Sequence, residues 1–239
     1  MTHLDLFSGI GGFALAAKWR GFDTIAFCEK DEFCQKVLKK HWPNVPIFGD
    51  IKEFDGEQFN GKVDLLTGGY PCQPFSTAGK RKGQHDPRHL WPDMFRVIRQ
   101  AKPAWVVCEN VEGHVTNGLD SVCDDLESEG YEVRPLIIPA CAVESPHIRN
   151  RVWIVANLYR RGWDTQPQSH KPFTTNQKDN IDADSSGASE RRQGAWPPEP
   201  RMGRVVDGVS RRVDKPRLKA LGNAIVPQIA YKIMMSIGV

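Results

Sequence analysis

Gly69-Tyr70-Pro71-Cys72-Gln73-Pro74-Phe75-Ser76 sets a cysteine between two prolines, just after the apolar run 63–67. A thiolate is intrinsically very nucleophilic, and it works only where its approach is fixed. Proline locks φ near about −65°, so Pro71 and Pro74 limit the backbone freedom that would blur the aim of the sulfur. The apolar run reads as a strand of a buried parallel sheet. Its carboxyl end opens into the crevice where such sheets place their chemistry. A structural thiol is the usual state of cysteine, but it fits a Pro-flanked loop poorly. Downstream, Gly79-Lys80-Arg81-Lys82-Gly83 puts three cations between glycines, suited to a mobile loop that clamps phosphates. A plain solvated charge run looks the same.

Three further groups carry chemistry. Glu109-Asn110-Val111 closes the apolar run 104–108, read here as the neighbour of the strand before Cys72. A carboxylic acid at that strand end could face the cysteine across a bound base. In His147-Ile148-Arg149-Asn150-Arg151 the arginines stand two apart, and strand alternation puts both on one face. Such a pair suits an anion or a base oxygen, though surface strands often carry one without function. Near the start, Ser8-Gly9-Ile10-Gly11-Gly12 makes a turn that would let a ligand approach a helix N-terminus. Glu29 directly follows the next apolar run, where a carboxylate can accept both hydroxyls of a ribose. Asp50, after Gly49, is placed to accept from an adenine amino group. Taken alone, each acid reads as a solvated loop residue; only the set gives them weight.

These groups need a frame, and the chain spells one. Strands are expected at 3–7, 24–28, 63–67, 104–108 and 152–156. Helices are expected at 13–20, from about 32 to before Pro43 with Phe33, Val37 and Leu38 on one face, and over about 92–101. Leu119, Val122 and Leu126 mark another helix, and Ile225, Ile229 and Ile233 a last one. Alternating strands and helices imply an α/β fold with a mostly parallel sheet and flanking helices. From about Tyr159 to Pro200 the chain is polar, without periodicity, and reads as a linker or a loop-built segment.

Composition bounds the rest. Of 239 residues, 40% are hydrophobic and 26% charged, ordinary for a soluble domain. The net charge of +3 is too small by itself to argue for a polyanionic partner. No apolar run approaches the roughly 20 residues of a membrane span. The start carries an acid early and lacks a basic-then-apolar signal, so a cytoplasmic protein is expected. Six scattered cysteines without a CxxC pair fit a reducing compartment and imply no metal.

In this order the motifs closely resemble the bacterial and phage DNA cytosine-5 methyltransferases. The resemblance covers about 1–158 and 201–239, and adds Leu221-Gly222-Asn223-Ala224-Ile225-Val226-Pro227 as the family's last motif. One departure is His147, where the family carries glutamine. The resemblance implies a Rossmann-like catalytic domain in those two stretches, with 159–200 as a small target-recognition segment. It implies S-adenosylmethionine as cofactor, held by Phe7, Ser8, Gly9, Gly11, Gly12, Glu29, Asp50, Ile51, Pro71, Asn223 and Ala224. Cys72 becomes the nucleophile at cytosine C6, Glu109 the acid at N3, and Arg149 and Arg151 the grip on the base and its phosphate. Double-stranded DNA is the implied substrate, its cytosine flipped out of the stack. Ser76, Lys80, Arg81, Lys82, Arg160 and Arg161 are the expected DNA contacts. A monomer in a bacterial cell or phage-infected host is expected; nothing identifies a cognate restriction enzyme. A tRNA-directed relative is the nearest rival, but the Cys-Phe-Thr tripeptide of that branch is missing. An idle DNA-binding regulator would not need Cys72, Glu109, Arg149 and Arg151 together.

Overall fold

A computed structural model describes residues 1–71, 90–116, 118–145, 147–158 and 211–237. The chain runs β1 (Thr2–Leu6), α1 (Gly12–Arg20), β2 (Asp23–Cys28), α2 (Glu32–His41), β3 (Ile47–Phe48) and β4 (Leu65–Gly68). It continues through α3 (Trp91–Ala101), β5 (Trp105–Val111), α4 (Leu119–Ser128), β6 (Tyr131–Pro139) and β7 (Asn150–Leu158). Two helices, α5 (Arg211–Asn223) and α6 (Pro227–Ser236), follow. The seven strands form one sheet in the order β3-β2-β1-β4-β5-β7-β6. β1 to β5 are parallel, while β7 runs antiparallel to both β5 and β6. The mostly parallel, helix-flanked sheet is the one expected, with β5 beside β4 as the strand reading required.

Each strand alternates between two cores. Leu66, Val106, Cys108, Val152 and Ile154 pack with Met94, Val97 and Ile98 of α3 and Val122 and Leu126 of α4. Leu65, Val107 and Trp153 turn to the other face, against Phe13 and Ala16 of α1 and Ile229, Ile233 and Met234 of α6. The last helix therefore completes a core begun by the first. On α2 the buried positions are Cys34 and Leu38, whereas Phe33 and Val37 are only half-buried. The stripe expected there is turned, because Leu38 packs in a small cluster with Phe27 and Ala14, edged by Trp42, Val45 and Ile47.

Besides the two-residue β3, two elements escaped the sequence reading. β6 has four consecutive exposed residues, Arg134 to Ile137, since it is the sheet edge and has no face to cover there. Pro135, lacking an N–H, belongs at such an edge. α5 is charged and carries Pro216 within it, so no apolar period announced it.

Below the glycine turn, β1 buries His3 and Asp5 completely. Thr67 Oγ1 donates to Asp5 Oδ1 at 2.9 Å and lies 2.8 Å from His3 Nε2, while His3 Nδ1 lies 2.9 Å from Thr24 Oγ1. Burial pushes the Asp5 carboxyl up to about 8 and the His3 imidazole down to about 3. Both are neutral near pH 7, which lets this polar row sit inside the core.

Candidate active site

The strand order reverses between β1 and β4, and the carboxyl ends of the parallel strands open there on a cavity of about 510 Å³. Phe7 and Gly9 line it from the β1 end, Glu29 from β2, Ile51 from beyond β3, Gly69, Tyr70 and Pro71 from β4, and Glu109 from β5. Arg149 and Arg151 come from the start of β7. They reach the same rim because β7 is antiparallel, so its amino end lies beside the carboxyl ends of the others. Asn223, the last residue of α5, and Ala224 directly after it close the wall.

The glycine turn is bent by left-handed residues: Phe7 at φ 51°, Gly9 at 54° and Gly11 at 87°. A non-glycine residue in this region is strained, and such strain gathers at ligand sites. A carboxylate braces the turn. Glu29 Oε2 accepts from Gly9 N at 2.7 Å, and its Oε1 accepts from Asp31 N at 2.7 Å. A Cβ on Gly9 would meet nothing within 4 Å, so its face is open to a ligand. Gly11 and Gly12 serve packing: a Cβ there would come 2.6 Å from Trp42 and 2.7 Å from Ile225 respectively. Ser8 is buried, donating to the Asp5 carbonyl at 2.7 Å. Asp50 sits beside the cavity, its carboxylate 2.7 Å from Lys30 Nζ.

At the other end of the cavity Glu109 is buried and pairs with Arg151, Nε to Oε1 at 2.9 Å. Burial pushes its carboxyl up, outweighing the opposing pull of Arg151 and Arg149. A Cβ on Gly69 would lie 3.5 Å from Glu109 Oε2, so this carboxyl stands against the segment leading to Cys72. The segment is pinned by a residue that the sequence reading passed over. Asn110 Nδ2 donates to the Tyr70 carbonyl at 3.2 Å, and its Oδ1 accepts from Val111 N. Only its place beside Glu109 hinted at this. Tyr70 is buried, with its hydroxyl 2.7 Å from His114 Nε2 and its ring 5.1 Å from that of Trp91.

Cys72 itself lies outside the described residues, with Ser76, Lys80, Arg81, Lys82, Arg160, Arg161 and the whole of 159–200. Of the described cysteines, Cys28 and Cys34 line the cavity. Burial, then the Glu29 carboxylate, pushes Cys28 up to about 12 and Cys34 up to about 11. Both are thiols at neutral pH and poor nucleophiles. Among the described residues no cluster of His, Cys, Asp or Glu is placed to hold a metal.

The family model for C-5 cytosine-specific DNA methylases matches residues 1–197. The chain belongs to that family. Among curated relatives, the type II methyltransferase M.PspPI of Psychrobacter is 38% identical over 159 residues, covering 64% of this chain and 38% of that protein. M.HhaI of Haemophilus parahaemolyticus is 33% identical over 186 residues, 74% of this chain and 54% of its own. M.AquIA of Picosynechococcus is 32% identical over 200 residues, 75% of this chain and 80% of its own. The chain thus spans well under half the length of the first of these relatives. In fold it is similar to the Dnmt2 methyltransferase of S. pombe, with a TM-score of 0.58 and 24% identity over 68% of this chain and 52% of that one.

Proposed function

We propose that this chain is a DNA cytosine-5 methyltransferase that uses S-adenosylmethionine and attacks the target base with Cys72. The observation that carries the reading is the juxtaposition of Glu109, buried and held by Arg151, with Gly69, Tyr70 and Pro71, which line the same cavity and directly precede Cys72 in the chain.

The cavity fits the cofactor. Its volume lies within the roughly 300–1,000 Å³ of small-molecule sites. Gly9 leaves open space, Phe7 and Ile51 offer apolar surface, and Glu29 keeps lone pairs free for ribose hydroxyls. Asn223 and Ala224 would hold the methionine end. Bound there, S-adenosylmethionine supplies an electrophilic methyl group.

The chain's own residues do the rest. Cytosine C6 is a poor electrophile, so the ring must be activated as the thiolate adds. Burial shifts Glu109 toward its protonated form, and as an acid it would donate toward N3 and let negative charge gather on the ring. Arg151 keeps that carboxyl aimed and is placed for the base O2. With Cys72 bonded to C6, C5 becomes an enamine carbon able to take a methyl group. Loss of the C5 proton then expels the thiolate. We assign duplex DNA as the substrate, which requires the cytosine to be flipped out of the stack, and we assign 159–200 to reading its sequence, with Lys80, Arg81 and Lys82 on phosphates.

Duplex DNA containing 5-fluorocytosine tests the nucleophile, because fluorine cannot leave as a proton does. The intact chain should form a stable covalent complex with S-adenosylmethionine present, and Cys72→Ser should form none and lose methylation. Trapping that survives in Cys72→Ser, or maps to another cysteine, sinks the assignment.

A further inference from the structure

We propose that Arg149 is a positioning residue for the cofactor, fixing the loop at Gly222–Ala224 against the cavity, rather than a group that acts on the base. The inference rests on the reading that this cavity takes S-adenosylmethionine. Two arginines that looked equivalent in sequence have different partners. Arg151 holds Glu109, whereas Arg149 Nη2 donates to the Gly222 carbonyl at 2.9 Å and the Ala224 carbonyl at 2.8 Å. These carbonyls flank Asn223, so one guanidinium nitrogen holds the peptides on both sides of a cavity-lining side chain. Just beyond, Ile225 packs on Gly12 at the start of α1, which ties the same loop to the glycine turn.

Arg149 has φ 40°, a left-handed backbone that a β-strand residue would not adopt. Strain of this kind persists where surrounding contacts over-determine a conformation. The bend is also why strand alternation does not describe the arginine pair. A second tether, Lys219 to Asp31 at 2.9 Å, joins α5 to the start of α2, but its side chains are 67% and 36% exposed. An exposed pair of this sort contributes little. Arg149, itself half-buried, makes two charge-assisted bonds to carbonyls at the end of α5, the one to Ala224 part-buried, and these hold the loop more firmly than the exposed pair.

Calorimetric titration of the full chain with S-adenosylhomocysteine, without DNA, reads the effect directly. Arg149→Met is expected to weaken binding on the order of tenfold, the scale of a lost charge-assisted hydrogen bond. Arg149→Lys, which keeps the charge but not the guanidinium's reach, should recover part of that. In methyl-transfer assays the KM for S-adenosylmethionine should rise, with kcat at saturating cofactor much less affected. Wild-type affinity in both variants overturns the proposal, whether kcat collapses, which would put Arg149 at the base, or only thermal stability falls. Should Arg149→Met fail to fold, Arg149→Lys decides alone, and wild-type affinity and KM there overturn it equally. If the unaltered chain takes up no S-adenosylhomocysteine, the cofactor reading itself fails, and the inference with it.

Discussion

Glu29 shows how one carboxylate can serve the fold and a ligand at once. Its two oxygens already accept from Gly9 and Asp31, each retaining a free lone pair toward the cavity. Glu29→Ala should therefore weaken S-adenosylmethionine binding by about 1.5–3 kcal/mol, the worth of hydrogen bonds to a charged group. Calorimetry on the folded variant decides this; unchanged affinity would reduce Glu29 to a brace. Asp5 is the opposite case, an acid kept from ionising. Its folded pKa of about 8 lies far above the ordinary 3.8, so its contribution to stability is intact below about 3.8 and is lost as pH climbs toward about 8. Asp5→Asn removes that dependence. Relative to the parent chain, the variant should gain roughly 1.4 kcal/mol for each pH unit across that window. Urea unfolding at pH 5 and pH 7.5 measures the difference, and parallel pH profiles for the two proteins would refute it.

At the scale of elements, the turn from β1 to α1 divides its glycines between two jobs. Gly9 faces open space, while Gly11 is pressed against Trp42 and Leu38 of the α2 region. Gly11→Ala should destabilise the protein by about 1–3 kcal/mol through overpacking, beyond the cost of a left-handed alanine. Gly9→Ala carries only the backbone cost of roughly 1–2 kcal/mol, and its effect should appear mainly as weaker cofactor binding. Thermal unfolding and calorimetry on the pair separate the two, and equal melting temperatures would contradict the division. A tight glycine turn was legible in the sequence, yet which glycine faces open space and which meets tryptophan was not. That depends on where α2 lies, and only packing sets it.

For the molecule as a whole, the proposed reading assigns the choice of DNA sequence to residues 159–200. Residues 159–200 supply Arg160, Arg161, Gln166, Gln168, Asn176, Gln177, Lys178, Arg191 and Arg192, types that bond guanine and adenine edges. Each good bidentate pair is worth about 1–3 kcal/mol of discrimination, and a segment of this size can place only a few. A short recognition site with modest discrimination is expected. Exchanging 159–200 for the matching segment of a related enzyme should move the methylated sequence with it, as read by base-resolution sequencing of host DNA. A chimera that folds, methylates and keeps its original site would show that the segment does not read DNA.

What the sequence by itself determined was local: five of the seven strands, most helices, the glycine turn, the Pro-flanked cysteine and the acids that follow strand ends. Those signals lie within a few residues of one another, in turn chemistry and apolar period. Parallel strands also send their carboxyl ends to one side, so the convergence of Phe7, Glu29, Pro71 and Glu109 was implied once the fold class was. The direction of β7 was not. Antiparallel pairing with β5 is a contact between distant segments, and it alone brings Arg149 and Arg151 to the rim. The separation of their roles followed from the bend at Arg149 and from the return of α6, with the Ile225–Val226 stretch before it, over α1. The neutral state of Asp5 and the raised carboxyl of Glu109 likewise arise from burial, a property of the assembled core that no short stretch of sequence carries.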